Sequence, residues 1–271
     1  MPHAVHRGLR FYYELSGRED APSVLLIRGL SRSSRYWYDL RPHLERRARV
    51  LVMDNRGVGR SDAPGPGFGT ADMADDVAAV LEASGVQRAH VFGISLGGMV
   101  AQQLALRHPS RVDRLVLAAT TMGGRHAQRA SIPAVLAMLR TARMSVEDQM
   151  RHTAPWVLAP DVLASRPSIV DEWVALAASE PRNRLALLGQ MLAGGLHDVS
   201  RDVHRIASPT LVLTGDADRL LPMGNSVLLA ERIPGARLEV LPGAGHDFPT
   251  ERPDEVSRRI ADFFGLPPAA G

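Results

Sequence analysis

Residues 90–108 read HVFGISLGGMVAQQLALRH and join an apolar run, a glycine-rich turn and a helical pattern. The apolar residues 90–92 are typical of a buried strand, and the helical pattern that follows ends before Pro109. Between them, the pentapeptide GISLG at 93–97 places Ser95 between two glycines. Glycines two residues before and after a serine remove side chains that would clash at a sharp strand-to-helix turn. The pattern predicts a serine hydroxyl above the strand end, where the helix N-terminus favours a developing anion.

The composition is that of a globular protein. The chain has 271 residues, of which 45% are hydrophobic and 23% are charged, enough for one large α/β domain or two small ones. No apolar run reaches the ~20 residues that a membrane span requires. The N-terminus has no apolar signal core, so we expect a cytoplasmic protein with no membrane partner. Cysteine is absent, which excludes disulfides and thiolate chemistry.

The charge balance does not indicate a nucleic-acid-binding protein. The calculated pI is 9.9, but the net charge is only +3 and every basic side chain other than histidine is an arginine. The very high pKa of arginine raises the pI without adding much net charge at neutral pH. Because the arginines are interleaved with Asp and Glu and form no basic stripe with aromatic residues, no nucleic-acid partner is expected.

Short apolar runs alternate with helical patterns along most of the chain. Further strands are predicted at 8–15, 24–27, 50–53, 115–118, 210–214 and 238–241, and helices at 36–46, 71–83, 226–233 and 256–264. This alternation predicts a mostly parallel sheet with helices on both faces. Polar residues that follow the strands should meet at one edge of the sheet, where the carboxyl ends of parallel strands lie.

The region between the predicted strands at 115–118 and 210–214 follows a different pattern. From residue 122 to about 204 it reads as helices separated by prolines, without a clear strand. We therefore expect a core formed by 1–121 and 206–271, and a helical cap at 122–205 that roofs the site. Met122 and Trp156 are candidates for the acyl or alcohol pocket, although apolar residues at helical spacing also form ordinary core.

A serine nucleophile needs a neighbouring base, and the base needs an acid to orient it. His246 has the best context, in a glycine-rich loop directly after the last predicted strand. Two acids precede it, after the strand at 210–214. Asp216 lies nearer the strand end, where a turn or capping role is the alternative, whereas Asp218 is further out and could turn back toward His246.

Together these motifs resemble the α/β-hydrolase family over nearly the whole chain, and most closely small capped bacterial carboxylesterases, enol-lactonases and cofactor-free haloperoxidases. The matching stretches are GISLGG at 93–98, DNRGVGRS at 54–61, GDAD at 215–218 with Pro222, and GH at 245–246. The resemblance implies an α/β-hydrolase fold, with a helical cap inserted after the sixth strand of a mostly parallel sheet. It also implies that Asp218, not Asp216, is the acid.

The resemblance further implies an oxyanion hole built from the backbone N–H groups of Leu30 and Leu96. One position departs from the family, which usually has histidine where this chain has Arg28. Arginine has several donors and could tie the carbonyls of the same loop. The alternative hypothesis is that Arg28, with Arg32, faces the pocket and receives a substrate carboxylate.

These residues predict a serine hydrolase of the carboxylesterase type, with Ser95, His246 and Asp218 as nucleophile, base and acid. Its expected partner is a small-molecule ester or lactone, and a homodimer is left open. Neither cofactor nor metal is expected, since no His/Cys/Asp/Glu cluster has metal-ligand spacing. Enol-lactone opening, C–C bond hydrolysis and perhydrolysis or haloperoxidation with the same triad are alternatives, as is a non-catalytic ligand receptor, because fold alone does not give function.

Overall fold

A computed structural model describes residues 2–141, 144–181 and 183–269 of the chain. Its centre is an eight-stranded sheet with the strand order β1-β2-β4-β3-β5-β6-β7-β8. The strands are β1 (His3–His6), β2 (Leu9–Gly17), β3 (Ser23–Ile27), β4 (Arg49–Met53), β5 (Ala89–Ile94), β6 (Val112–Ala118), β7 (Thr210–Gly215) and β8 (Arg237–Leu241). Strand pairs that include β1 or β2 are antiparallel and the others are parallel. The predicted α/β class with a mostly parallel sheet is confirmed.

Helices cover both faces of the sheet because its central strands are apolar on both sides. On β3, Leu25 and Ile27 belong to one core, while Val24 and Leu26 belong to the other. The first core includes side chains of α2 (Thr70–Ala83), α3 (Leu96–Arg107) and α9 (Gly224–Arg232). The second includes side chains of α1 (Arg41–Glu45), α10 (Phe248–Glu251) and α11 (Pro253–Phe264). Successive side chains of a strand point to opposite faces, so β3 is buried from both sides.

A helical insertion separates β6 from β7, which agrees with the predicted position of a cap after the sixth strand. It contains α4 (Ile132–Arg140), α5 (Val146–Val157), α6 (Pro160–Ser165), α7 (Ser168–Ala178) and α8 (Arg184–Gly195). The two ends of the insertion meet, since Val199 N donates to Met122 O at 2.9 Å. A third apolar cluster joins Met150, Ile169 and Trp173 of the insertion to Tyr36 of the remainder. The division into a core and a cap at 122–205 remains our proposal for the domain organisation.

Two local predictions need correction. The helix expected at 36–46 is split into a 3-10 helix, Ser34–Trp37, and the short helix α1, in whose first turn Pro42 lies. Proline has no N–H to donate, so it starts a helix more readily than it continues one. Strand β1 was not predicted, because it has four residues of which only Ala4 is buried. Within the described ranges, no helix combines the length and apolarity that crossing a membrane requires.

Candidate active site

Ser95 occupies a strained turn between β5 and α3. Its backbone has φ 56° and ψ −122°, a region that residues with a side chain rarely adopt. A Cβ on Gly97 would overlap the carbonyl oxygen of Ile27, and one on Gly93 would overlap the carbonyl oxygen of Gly97. Both glycines of the pentapeptide are therefore required by close packing, as the sequence predicted. The strain is typical of a nucleophile raised on a strand-to-helix elbow.

Two loops at neighbouring strand ends bring His246 and Asp218 together. Nδ1 of His246 lies 2.7 Å from Oδ2 of Asp218. The other carboxylate oxygen, Oδ1, accepts the N–H groups of Leu220 at 2.8 Å and Leu221 at 2.9 Å. Both side chains are buried, with 7% of His246 and 0% of Asp218 exposed. The carboxylate is thus fixed by its own loop and orients the imidazole.

Asp216, the other acidic candidate, has a different role. It is exposed, and its Oδ1 accepts the N–H of Gly243 at 2.6 Å. That bond ties the loop after β7 to the loop after β8, which is the turn role considered for Asp216 from the sequence.

The surroundings of His246 favour its protonated form. Burial disfavours the imidazolium, but the negative charges of Asp218 and Asp247 outweigh burial and raise the pKa of His246 above the ordinary 6.5. Arg28 opposes this rise. A histidine with a raised pKa is neutral, and able to accept a proton, only at a correspondingly higher pH.

Ser95 and His246 line the same cavity, which has a volume of about 110 Å³. Leu30 also lines it, and a Cβ on Gly29 would lie 3.6 Å from Ser95 Oγ. The loop after β3 therefore runs beside the serine hydroxyl. Within the described part of the chain, no hydrogen bond joins Ser95 Oγ to His246. Such bonds are often long in free enzymes and shorten when substrate binds.

The two predicted oxyanion donors belong to the loop after β3 and to the first turn of α3. Leu96 is the first residue of α3, where a backbone N–H has no partner within the helix. Leu30 follows Gly29, and its loop is held by α8 of the insertion, since Gln190 Oε1 accepts the N–H of Ser31 at 2.9 Å. Both positions fit an oxyanion hole, which is kept here as a proposal.

Arg28 is buried, and both terminal nitrogens of its guanidinium are bonded to neighbours. Its Nη1 lies 2.7 Å from Oδ1 of Asp247, and its Nη2 donates to the carbonyl oxygen of Tyr36 at 2.6 Å and to Thr250 Oγ1 at 3.2 Å. Its Cζ lies 4.3 Å from the ring centroid of Trp37. Although Arg28 lines the cavity, these contacts match the loop-bracing interpretation. The pairing with Asp247 favours bracing over the alternative that Arg28 receives a substrate carboxylate, which stays a hypothesis.

Met122 and Trp156 do not lie among the described residues that line the cavity. Met122 is 1% exposed and packs in the core beneath the insertion. Trp156 packs against the guanidinium of Arg219, 4.9 Å from its ring centroid. Their contact with substrate stays a prediction from the sequence, whereas helix orientation turns other side chains of the insertion toward the cavity. Those side chains are Met138, Thr141, Gln149, Met150, Thr153, Val157, Leu187 and Met191.

The residues of the insertion that line the cavity follow a pattern that is visible in the sequence. Met150, Thr153 and Val157 follow helical spacing on α5, and Leu187 and Met191 are four residues apart on α8. Residues at such intervals share one face of a helix. The helical spacing is visible in the sequence, but the direction in which that face of each helix points depends on tertiary packing.

Asp54 and Arg56 brace the loops, as expected from the resemblance. Asp54 is fully buried and accepts the N–H groups of Ser34 at 2.7 Å and Arg60 at 3.0 Å. Arg56 forms a buried ion pair with Asp76. Neither side chain lies among the residues that line the cavity containing Ser95.

Known proteins share this architecture. Residues 22–166 match the family described as alpha/beta hydrolase fold. A relative from Variovorax paradoxus (strain S110), which carries the name carbamate hydrolase RutD, is 34% identical over 265 residues, 96% of this chain and 98% of the relative.

Solved structures of hydrolases have the same fold. A hydrolase from Pseudomonas aeruginosa PA01 has 31% identity and a TM-score of 0.84, with 97% of both chains covered. The enol-lactonase from Burkholderia xenovorans LB400 has 25% identity and a TM-score of 0.85, with 97% of this chain and 100% of that one covered. With the family match over more than half of its length, the chain belongs to the α/β-hydrolase fold family.

Proposed function

We propose that this protein is a serine hydrolase that cleaves carboxylic esters or lactones through an acyl-enzyme intermediate. The observation that carries the proposal is the 2.7 Å bond between His246 Nδ1 and Asp218 Oδ2, beside a cavity that Ser95 also lines. A carboxylate at Nδ1 holds the proton on that nitrogen and leaves the Nε2 lone pair free to act as a base.

The proposed reaction begins with attack by Ser95. His246 Nε2 takes the proton as Oγ bonds to the carbonyl carbon, and the carbonyl π electrons move onto oxygen. The N–H groups of Leu30 and Leu96 stabilise that oxyanion, and Asp218 stabilises the imidazolium. His246 then gives its proton to the departing alkoxide. Water repeats the sequence on the acyl-enzyme, which releases the acid and restores the Ser95 hydroxyl.

The cavity suggests the size and polarity of the acyl group. Its cap side is formed largely by methionine and aliphatic side chains, among them Met138, Met150 and Met191. Methionine is flexible and fits ligands of irregular shape. With a volume of about 110 Å³, the cavity suits short to medium acyl chains better than long ones.

Carbamate hydrolysis is a second candidate, favoured by the Variovorax paradoxus relative that is 34% identical and named carbamate hydrolase. A carbamate carbonyl is attacked in the same way but is less electrophilic, because the adjacent nitrogen donates electrons to it. The same three side chains would serve both reactions.

The test compares 4-nitrophenyl esters of two to eight carbons, simple lactones and an O-aryl carbamate, using wild type and Ser95→Ala. We expect turnover of at least one class by wild type and its loss in the variant, and a fluorophosphonate should label Ser95 by mass spectrometry. Unchanged turnover in Ser95→Ala, or labelling of another residue, would refute the proposal.

A further inference from the structure

The cavity beside Ser95 is lined by two arginines whose surroundings differ. Arg28 is neutralised by Asp247 at 2.7 Å. Arg32, four residues later, has no carboxylate within 4.0 Å among the described residues, and its Nη1 is buried without a hydrogen-bond partner. A buried cationic donor without a partner is costly. This N–H group is therefore available to a ligand that enters the cavity.

Two aromatic rings hold the Arg32 guanidinium in place. Its Cζ lies 4.3 Å from the ring centroid of Tyr36 and 4.1 Å from that of Trp173. Tyr36 belongs to the 3-10 helix after β3, and Trp173 belongs to α7 of the insertion. Ring faces offset part of the desolvation of a cation but do not use its in-plane N–H donors. Arg32 is therefore oriented in advance, with donor capacity left over.

The remaining charges of the lining cancel. Among the described lining residues, the one carboxylate is that of Asp247, which is paired with Arg28. His246 is paired with Asp218, and the other lining side chains are apolar or neutral. Arg32 also stabilises the Asp247 carboxylate at longer range, but two arginines then share one carboxylate. The lining is left with one positive charge in excess in largely apolar surroundings, where a charge-assisted hydrogen bond is strong.

We propose that the substrate is an ester or lactone bearing a carboxylate, and that Arg32 binds this carboxylate and so determines specificity. The inference rests on the proposed ester or lactone hydrolysis. A monoanion fits better than a phosphate monoester, because one guanidinium neutralises one negative charge and Asp247 already lies in the wall. Arg32 is favoured over Arg28 as the anion-binding residue of this loop, because both terminal nitrogens of Arg28 are already bonded to Asp247, Tyr36 and Thr250.

The test uses two substrates that differ only at the far end of the acyl chain. 4-Nitrophenyl hexanoate ends in a methyl group, and the 4-nitrophenyl monoester of adipic acid ends in a carboxylate. In Arg32→Met, kcat/KM for the adipate monoester should fall about tenfold or more, mainly through KM, the size expected for a lost charge-assisted bond. For the hexanoate, we expect a change smaller than about threefold, because the neutral chain makes no such bond.

Arg237→Met is the matched control. Arg237 is exposed at the start of β8, and its Cζ lies 5.2 Å from the ring centroid of Phe263. The variant loses the same charge and a similar ring contact at the opposite end of the sheet from Ser95. Its selectivity between the two esters should equal that of wild type.

If Arg32 only braces the insertion against the rest of the chain, Arg32→Met should not change the selectivity between the two esters. Equal losses on both esters, together with a lower melting temperature, would overturn the proposal. If Arg32→Met does not fold, Arg32→Lys keeps the charge but not the planar donors, and it should retain a reduced preference for the adipate monoester. A lysine variant with wild-type selectivity on a folded scaffold would also argue against guanidinium recognition.

The experiment distinguishes failure of the proposed hydrolase activity from failure of the proposed carboxylate site. If wild type hydrolyses neither ester and no other compound of the panel, the proposed function itself is refuted. Hydrolysis of the hexanoate with no effect of Arg32→Met on selectivity would remove only the carboxylate site. Calorimetric binding of monomethyl adipate to Ser95→Ala, and its loss in Ser95→Ala/Arg32→Met, provides a readout that does not depend on turnover.

Discussion

Arg28 Nη1 lies 2.7 Å from Oδ1 of Asp247, the residue that directly follows His246. The loop after β3, which carries the proposed oxyanion donor Leu30, is thereby joined to the loop that carries the proposed base. Both members of the pair are buried. Burial disfavours the Asp247 carboxylate, but Arg28 outweighs it and lowers the pKa of Asp247. The two halves of the site are therefore held by one ion pair.

Replacing Arg28 with methionine should destabilise the protein by about 3 kcal/mol or more, because the Asp247 charge is left buried and unpaired. Arg28 also lowers the pKa of His246, while Asp247 raises it. Without Arg28 the pKa of His246 rises further, and the acidic limb of kcat/KM should move to higher pH. Urea unfolding and a pH–rate profile measure the two effects.

The matched variant is Arg28→Met/Asp247→Leu. Removing both charges should recover most of the lost stability, since buried pairs are often replaceable by apolar groups. A double variant no more stable than Arg28→Met would contradict this account.

Asp218→Asn should reduce kcat by about 10³–10⁴-fold, the size of effect seen when the orienting acid of a triad is neutralised. Asp218 raises the pKa of His246 against the effect of burial, so its loss lowers that pKa. The acidic limb of the residual activity should therefore move to lower pH, opposite to the shift expected for Arg28→Met. The control is Asp216→Asn on the exposed part of the loop, for which we expect a change smaller than about threefold on the scale of surface substitutions.

The strain at Ser95 predicts a stability difference between two inactive variants. At φ 56° and ψ −122°, alanine keeps the steric cost of a Cβ, whereas glycine does not. Ser95→Gly should be more stable than Ser95→Ala by about 1 kcal/mol, after allowance for the extra freedom of glycine in the unfolded chain. Equal stabilities in urea would mean that the elbow is not strained.

Glu251 tests the link between the insertion and the histidine loop. Its carboxylate accepts Ala159 N at 2.7 Å and Gly245 N at 2.9 Å. In Glu251→Gln an amide NH₂ would face one of these donors, so we expect a stability loss of about 1–3 kcal/mol and a lower kcat. The pH limb assigned to His246 should stay in place, which separates loss of positioning from loss of charge.

Glu255→Gln serves as the control for Glu251→Gln. Glu255 is partly exposed on α11 and pairs with Arg259 at 2.8 Å. A surface pair of this kind contributes less than about 1 kcal/mol. Losses of similar size in both variants would contradict a special role for Glu251.

Much of the fold was predictable because the central strands are continuous apolar runs with no competing pattern. Residues 24–27 and 50–53 lie within β3 and β4, and the elbow at 93–97 leads from β5 to α3. The edge strand β1 was missed because a short strand with one buried face gives little signal. The helix at 36–46 was overextended because its apolar spacing continues across Pro42.

The site was predictable only as far as local motifs reach. Ser95, His246 and Asp218 each stand in a recognisable loop, and the structure brings Asp218 and His246 into contact. Arg28 was recognisable as unusual, but its partner Asp247 lies 219 positions away. Such pairs form through tertiary packing, and so do the inward directions of the cap helices. Local motifs therefore indicate the loops of the site, but they do not indicate which side chains of the insertion face the cavity.

The insertion is fastened unevenly around the cavity. Asp247 N donates to Val157 O at 2.8 Å, and Glu251 accepts the N–H of Ala159 close by. The end of α5 is therefore hydrogen-bonded to the loop that carries His246. We expect substitutions at the end of α5 to alter rate and selectivity together. Met138 and Thr141, at the end of α4, line the same cavity from a helix that has no such tether among the described residues. Redesign aimed at new acyl groups should therefore begin on α4, where reshaping the wall leaves the proton-transfer machinery undisturbed.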